Sequence, residues 1–316
     1  MNSIAVDTAQ NQKTARDQVN MRSTYALISP ARNEAGRIQF TLQSVVAQTC
    51  RPERWIIVDD GSTDNTFEIV QRYAQQHEFI ALVRAERGPE LGFGSKAKAF
   101  QTGYNLLGKT QYSFIGNLDA DVSFAPDYFQ LLLSRFEAEA KLGLGGGIIL
   151  EDINNHFVAQ RISENSVAGA VQLFRRECYE RIGGYLPMRY GGIDSVAEIM
   201  VRMHGWRVRT FSELQVKHHG RITTGNHSIF RTRFNKGLNN YLIGYHPLFH
   251  FLVSLCRVAT RPYVLGTIMM VAGYGWAAIR RKARPVPPEM VQFLQGEQLA
   301  RLRSAVAGGG IGRHAN

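Results

Sequence analysis

Carboxylates all but vanish from the last third of this chain. From residue 200 onward there are 17 Lys and Arg against 3 Asp and Glu, whereas the earlier residues hold 20 against 23. The net charge of +11 is therefore uneven: the first two-thirds is nearly neutral and the last third carries +14. Such asymmetry points to an anionic partner, whether phosphates, an acidic membrane surface or nucleic acid. Cysteine is scarce too. Cys50, Cys178 and Cys256 are scattered, odd in number and without a C-x-x-C pair. That excludes a disulfide framework and a cysteine zinc site, and it fits a reducing compartment. Long hydrophobic runs are missing. The uncharged stretch Pro262–Ile279 holds 18 residues, the lower limit for a membrane span. A buried or interface-lying helix is the expectation there. Residues 1–20 lack the apolar centre of a signal peptide, and residues 1–22 read as a polar, disordered tail. No internal repeat is present.

What remains is ordinary for a globular protein: 316 residues, 44% apolar, enough for one large domain or two. Short apolar runs alternate with helical spacing. Thr24–Ser29, Arg54–Val58, Phe79–Arg84 and Tyr112–Leu118 read as strands. Helices are expected over Gly36–Gln48, from about Asp64 to Ala74, and over Lys96–Leu107. Alternation of this kind predicts βαβ units and a largely parallel sheet. Further on, a helix is expected from Pro126 to about Ala140, then strands at Gly143–Leu150 and Val171–Arg175. A short helix, Glu177–Ile182, ends at Gly183-Gly184, where glycine supplies the left-handed cap. Asp194–His204 is a helix and Trp206–Phe211 a strand. The glycines of Gly143–Gly147 are not a dinucleotide fingerprint, because no helix pattern follows them. Arg221–Asn240 is basic, Tyr241–Ile279 is apolar, and the residues from Ala305 form a glycine-rich tail.

The stretch Tyr112–Asp121 organises the chain. Its strand ends in Asn117, Leu118, Asp119, Ala120 and Asp121. Two carboxylates one residue apart, just past a strand, converge at the sheet's carboxyl edge, where open α/β sheets bind ligands. Oxygen ligands of this kind suit Mg²⁺ or Mn²⁺. A second acidic pair, Asp59-Asp60, ends another strand, and Asp194 lies downstream. Nucleotide-sugar chemistry needs three such sites: one for the base or ribose, one for a cation on the diphosphate, one to deprotonate an acceptor hydroxyl.

The ordered set of motifs resembles the inverting glycosyltransferases of family 2, which have the GT-A fold. The matching residues are Ser29-Pro30-Ala31-Arg32-Asn33-Glu34, Ile57-Val58-Asp59-Asp60-Gly61-Ser62-Thr63-Asp64 and Asn117-x-Asp119-x-Asp121. They continue with Phe174-Arg175-Arg176, Ile182-Gly183-Gly184-Tyr185, Gly192-Ile193-Asp194 and Arg202-x-x-Gly205-Trp206-Arg207-Val208. The resemblance covers roughly residues 24–220. It implies an α/β GT-A nucleotide-diphospho-sugar transferase fold, with a mostly parallel, Rossmann-like sheet flanked by helices. Residues 23–220 would form that domain, residues 221–304 a basic, apolar helical extension, and residues 305–316 a tail.

The resemblance also implies roles. Pro30, Ala31 and Glu34 would line the nucleotide end. Asp60, or less favoured Asp59, would accept from the base, and Asp59 can instead hold the turn. Lys96 would assist with the diphosphate, a role also open to Lys98 or Arg233. Asp119 would contact the ribose or the metal's waters, Asp121 would ligate a divalent Mg²⁺ or Mn²⁺ ion, and His218 would lie close to that metal. Asp194 would be the general base. Ile193 stands where the family's motif has Glu, so that second acid is missing. Glu198 lies one turn on, at i,i+4 spacing from Arg202. The Q-x-x-R-W motif of processive members is absent, and Arg231-Thr232-Arg233-Phe234 stands in that region. The implied partners are a nucleotide-diphosphate sugar and a hydroxyl acceptor, with a lipid-linked saccharide among the options. An anionic membrane surface at the cytoplasmic face of the cell membrane completes the expectation.

Three other readings are weaker. A sugar-phosphate nucleotidyltransferase needs a glycine-rich basic loop after its first strand, and Pro30–Glu34 is not one. A receiver-like domain leaves the acceptor helix unexplained. A nucleic-acid binder is disfavoured because Tyr241, Tyr245, Phe249 and Phe251 alternate with Leu, Ile and Val rather than with Lys and Arg.

Overall fold

The computed structural model describes residues 23–85, 93–153, 156–160, 162–220, 229–258 and 262–307. The expected N-terminal tail, the glycine-rich loop at 88–92, the basic residues 221–228 and the chain after 307 lie outside the described residues.

The first half is built as the sequence suggests. Strand β1 (Tyr25–Ala31) pairs in parallel with β2 (Arg54–Asp59) and with β4 (Phe114–Leu118), and β3 (Ile80–Arg84) pairs in parallel with β2. The near-continuous apolar residues of β1, β2 and β4 are buried on both faces, as central parallel strands require, whereas β3 at the edge buries only Ile80. Pro30 and Ala31 belong to β1 rather than to the loop expected there. Their backbones pair with Val58 and Asp59 of β2, which extends the strand two residues. Helices α1 (Ile38–Val46), α2 (Thr66–Gln76) and α3 (Phe93–Leu106) follow the first three strands. In α1, Ile38, Leu42 and Val45 recur at helical spacing and are buried.

The second half adds strands of both directions. The sheet order is β3-β2-β1-β4, then β8 (Val171–Arg175), β6 (Leu142–Ile153), β9 (Arg207–His218) and β5 (Val122–Phe124), with β7 (His156–Ala159) on β6. Strand β5 (Val122–Phe124) is three residues long and precedes α4 (Tyr128–Ala138). It has no sequence signature, and it exists because Thr41 of α1 exchanges hydrogen bonds with both the N–H and the carbonyl of Val122. Strand β6 (Leu142–Ile153) includes all the glycines of Gly143–Gly147. They permit flush contact: a Cβ on Gly147 would meet the Leu214 carbonyl at 2.1 Å. Strand β7 (His156–Ala159) extends β6, and β8 (Val171–Arg175) runs antiparallel to both β4 and β6. Helix α5 (Arg176–Arg181) ends as expected, with Gly183 and Gly184 at φ of 73° and 76°. Helix α6 (Ile193–Met203) buries Val196, Ile199 and Met200. Strand β9 (Arg207–His218) is twice the length read from the sequence, because a register shift against β6 carries its pairing on to His218.

Among the described residues four more helices follow: α7 (Ile229–Ile243), α8 (Pro247–Cys256), α9 (Tyr263–Ile279) and α10 (Pro288–Ala307). Helix α10 joins the core around α6 through Met290, Val291 and Leu294, and Glu297 ion-pairs with Arg202 at 2.9 Å. Residues 305–307 close this helix rather than opening a tail. Among the described residues no helix is long and apolar enough to cross a membrane.

Candidate active site

Strands β1, β2 and β4 are mutually parallel, so their carboxyl ends share one edge, and Asp59, Asp60, Asp119 and Asp121 all arise there. Strand β8 is antiparallel and begins at that edge. The Asp119 N–H donates to the Ala170 carbonyl at 2.8 Å, and the Asn117 amide donates to the Gly169 carbonyl at 2.7 Å. Residues 169–170 in turn lie against Asp194. A Cβ on Gly169 would stand 2.9 Å from Asp194 Oδ2, so only glycine lets the backbone pass so near that carboxylate. Asp194 itself sits in the first turn of α6, entered through Gly191 and Gly192 at φ of 90° and 85°.

The structure brings together Asp119, Asp121 and His218. One potential ligand atom from each lies within 4.8 Å of the other two, and all three residues are half-buried. Short strand β5 makes this possible: Val122 pairs with His218, which sets the imidazole beside Asp121. The His218 Nε2 is 3.4 Å from Asp121 Oδ1, and its Nδ1 is 2.8 Å from the Gly220 carbonyl. His219, the other half of the pair, points elsewhere. It stacks on Phe40 at 4.1 Å and bonds Ser123 at 2.8 Å.

Lys96, from the first turns of α3, reaches the same edge. Its Nζ is 2.5 Å from Asp119 Oδ1. Burial alone would depress its pKa, but Asp119, Asp194 and Asp121 together hold it above the ordinary lysine value. Lys96 thus pairs with Asp119 directly and lies within electrostatic range of Asp194. Lys98 lies exposed. Burial, followed by the charge of Asp119, raises Asp121 above the usual carboxylate range, against the pull of His218 and Lys96. Glu34 is pushed up to about 7 by burial and then by Asp121, with Arg37 opposing at 3.7 Å. Its Oε2 is buried without a hydrogen bond. Asp119, Asp121 and the His218 imidazole are an oxygen-and-nitrogen donor set that fits a divalent cation.

Of the acidic pair on β2, Asp59 is buried and occupied. It accepts from the Ser62 N–H at 3.1 Å and from the Arg84 guanidinium at 3.1 Å. Asp60 is half-buried, and among the described residues its carboxylate takes no hydrogen bond. Its N–H ties it to the Ala31 carbonyl at 2.9 Å. Glu198 is not in the cleft. It is buried, accepts from Ser166 Oγ at 2.9 Å and from the Val167 N–H at 2.8 Å, and lies 3.9 Å from Arg202. Burial raises it to about 8. Two residues that matter here went unread in the sequence. Gly220 borders Asp121 so closely that a Cβ would meet Oδ2 at 2.0 Å, and Ser166 receives Glu198. The Gly after the His-His pair was the available signal for the first. Nothing local marks the second.

Comparison with known proteins agrees with this architecture. The sequence profile of the family described as "Glycosyl transferase family 2" matches residues 26–196. A poly-β-1,6-N-acetyl-D-glucosamine synthase from Staphylococcus aureus is 30% identical over 112 residues, which is 35% of this chain and 25% of that protein. The chain therefore matches about a quarter of the length of such curated relatives. Among solved structures, the mannosyltransferase PcManGT of Pyrobaculum calidifontis, in complex with GDP-Man and Mn²⁺, superposes with a TM-score of 0.54 at 18% identity, covering 91% of this chain and 88% of that one. TarS of S. aureus, in complex with UDP-GlcNAc, gives 0.53 at 14% identity, covering 90% and 81%. GalNAc-T7 with UDP, GalNAc and Mn²⁺ gives 0.58 at 13%, covering 92% and 58%. The fold is that of the GT-A glycosyltransferases.

Proposed function

The chain belongs to glycosyl transferase family 2, and on that premise we propose that it is a metal-dependent, inverting enzyme that moves one sugar from a nucleotide-diphosphate donor to an acceptor hydroxyl. The observation that carries this reading is the span from Asp121 to Asp194. A cluster with the donor set for a divalent cation lies on one side, a carboxylate at a helix start lies on the other, and Lys96 is within electrostatic reach of both.

In this mechanism Asp60 accepts a hydrogen bond from the base, while Asp59 holds the turn through Ser62 and Arg84. Pro30, Ala31 and Glu34 border the nucleotide. Asp121, Asp119 and His218 would hold Mg²⁺ or Mn²⁺, which supplies positive charge against the leaving diphosphate. Lys96 orients Asp119 and adds its own charge nearby. Asp194 takes the proton from the acceptor hydroxyl. The freed oxygen pair attacks the anomeric carbon from the face opposite the diphosphate. The bond to the diphosphate oxygen breaks with its electron pair, and the configuration inverts.

Transfer of a single sugar is favoured by Arg231-Thr232-Arg233-Phe234 standing where processive members have Q-x-x-R-W. Polysaccharide or glycolipid synthesis is the proposed setting, at the cytoplasmic face of the cell membrane, where the basic last third would meet anionic lipid. A screen of UDP-, GDP- and dTDP-sugars for thermal stabilisation and hydrolysis, with and without Mn²⁺, tests the reading. One nucleotide sugar should stabilise the chain only with the cation, and NMR of the product should show inverted configuration. Stabilisation by no nucleotide sugar, or a retained configuration, would overturn it.

A further inference from the structure

One helical turn separates Asp194 from Glu198 on α6, so the two acids share a face of that helix. The segment 166–170 runs against this face. Glu198 grips its start: Oε1 accepts from the Val167 N–H at 2.8 Å and Oε2 accepts from Ser166 Oγ at 2.9 Å. Further along, Gly169 lies against the other acid, where a Cβ would stand 2.9 Å from Asp194 Oδ2 and 3.2 Å from Asp194 Cβ. The segment therefore joins the two carboxyl groups mechanically, although Glu198 itself is buried outside the cleft.

The remaining bonds of this segment lead to the sheet. Thr210 of β9 donates to the Ser166 carbonyl. Gln172 of β8 donates to the Val167 carbonyl at 3.0 Å, and the Tyr185 hydroxyl holds Gln172 in turn at 2.6 Å. At the far end, Asn117 donates to the Gly169 carbonyl at 2.7 Å and the Asp119 N–H to the Ala170 carbonyl at 2.8 Å. These bonds fix the segment to the strands that carry the cation cluster. The bonds of Glu198 fix it to α6, which carries Asp194.

Among the described residues, Asp59 and Glu198 are the buried carboxylates. Asp59 has the Arg84 guanidinium at 3.1 Å. For Glu198 the cation is Arg202, at 3.9 Å, and Arg202 turns Nε and Nη2 to Glu297 of α10 at 2.9 and 3.1 Å. The short bonds of Glu198 thus go to a hydroxyl and a backbone N–H. Burying a carboxyl is costly, and an apolar side chain would fill the same space without that cost. The hold on Ser166 and Val167 accounts for an acid at this position.

We propose that Glu198 is a positioning residue for the transfer reaction: by anchoring Ser166 and Val167 it sets Gly169 against the Asp194 carboxylate, and so fixes the direction in which that base meets the acceptor hydroxyl. This rests on the transferase reading above and adds a residue to it.

The test is a double-variant cycle on the full chain. Sugar transfer is measured at saturating donor, Mn²⁺ and acceptor, and hydrogen–deuterium exchange is read on residues 162–175 without donor or cation. Glu198→Ala should speed exchange there and lower kcat about 100-fold, the cost of misplacing a reacting group by about 1 Å, with donor KM and Mn²⁺ affinity unchanged. Glu198→Gln should keep wild-type kcat, because its carbonyl can accept from Val167 and its amide can donate to Ser166. Added to Asp194→Asn, Glu198→Ala should cost nothing further, since a residue that acts through the base has no effect once the base is gone.

Gly169→Ala reaches the base from the other end and serves where Glu198→Ala fails to fold. Gly169 is not among the glycines at positive φ, so its added methyl meets the Asp194 carboxylate without backbone strain. It should lower kcat and leave donor KM unchanged. Wild-type kcat in Gly169→Ala and in any folded Glu198→Ala would overturn the proposal. So would a further kcat loss when Glu198→Ala is added to Asp194→Asn, which would mark a general structural role. An inactive Glu198→Gln beside a fully active Asp194→Asn would overturn it by making Glu198 the base. Faster exchange in Glu198→Ala, in a chain whose wild type transfers no sugar, would uphold the anchor but remove the transferase reading and the positioning role with it.

Discussion

His218 presents Nε2 to Asp121, 3.4 Å from Oδ1, while its Nδ1 faces the Gly220 carbonyl at 2.8 Å. A carbonyl can only accept, so Nδ1 carries a proton toward Gly220 and Nε2 is the nitrogen turned toward the carboxylate. That is the orientation of a metal-ligating histidine, whose second nitrogen is held by an outer partner. The relationship depends on Gly220, because any side chain there would strike Asp121.

The metal prediction follows from this pair. Asp121→Ala should abolish Mn²⁺-dependent nucleotide binding and leave the circular dichroism spectrum unchanged. Gly220→Ala should lower Mn²⁺ affinity about 10–100-fold, the usual effect of disturbing a ligand's outer support. Mn²⁺ titration followed by electron paramagnetic resonance reads both. Wild-type affinity in Asp121→Ala would remove the metal assignment.

Lys96 gives a second prediction. Its ammonium bonds Asp119 at 2.5 Å and sits within reach of Asp194 and Asp121. Lys96→Met removes a hydrogen bond between charged groups, so affinity for the nucleotide-diphosphate sugar should fall about 10–100-fold. Lys98→Met, at an exposed position on the same helix, should bind like wild type. Equal losses in the two variants, measured by calorimetry, would reduce Lys96 to general surface charge.

Much of this site could be read from the sequence. Asp59, Asp60, Asp119 and Asp121 each end an apolar run, and local patterning alone places such residues at a sheet's carboxyl edge. Asp194 is carried by Gly192 before it and by the helical spacing of Val196, Ile199 and Met200 after it. What stayed hidden depends on contacts between distant parts of the chain. The Lys96–Asp119 pair joins α3 to β4, and His218 meets Asp121 only because three residues of β5 find the end of β9. Strand β5 is too short to show a period, and its pairing is fixed by Thr41. Glu198 is read from spacing as an i,i+4 partner of Arg202, which it is at 3.9 Å. Its shorter bonds go to Ser166 and Val167, residues that no helical pattern could nominate.

Glu198 also makes a pH prediction. Its folded pKa of about 8 lies above the ordinary 4.5, so the folded state holds this proton more tightly than the unfolded chain. The resulting stabilisation is complete below about 4.5 and is lost as pH rises toward about 8. Denaturant midpoints measured across that window should decline in wild type. In Glu198→Gln, which keeps the shape and cannot ionise, this part of the decline should disappear. Identical pH profiles for the two proteins would show that Glu198 titrates normally.

In the proposed mechanism Asp194 removes the acceptor's proton. The direct measurement is the rate of sugar transfer by Asp194→Asn at saturating donor, Mn²⁺ and acceptor. A fall of about 10²–10⁴-fold is expected, the contribution of a general base, with donor and metal affinities unchanged. Transfer at the wild-type rate by Asp194→Asn would contradict it.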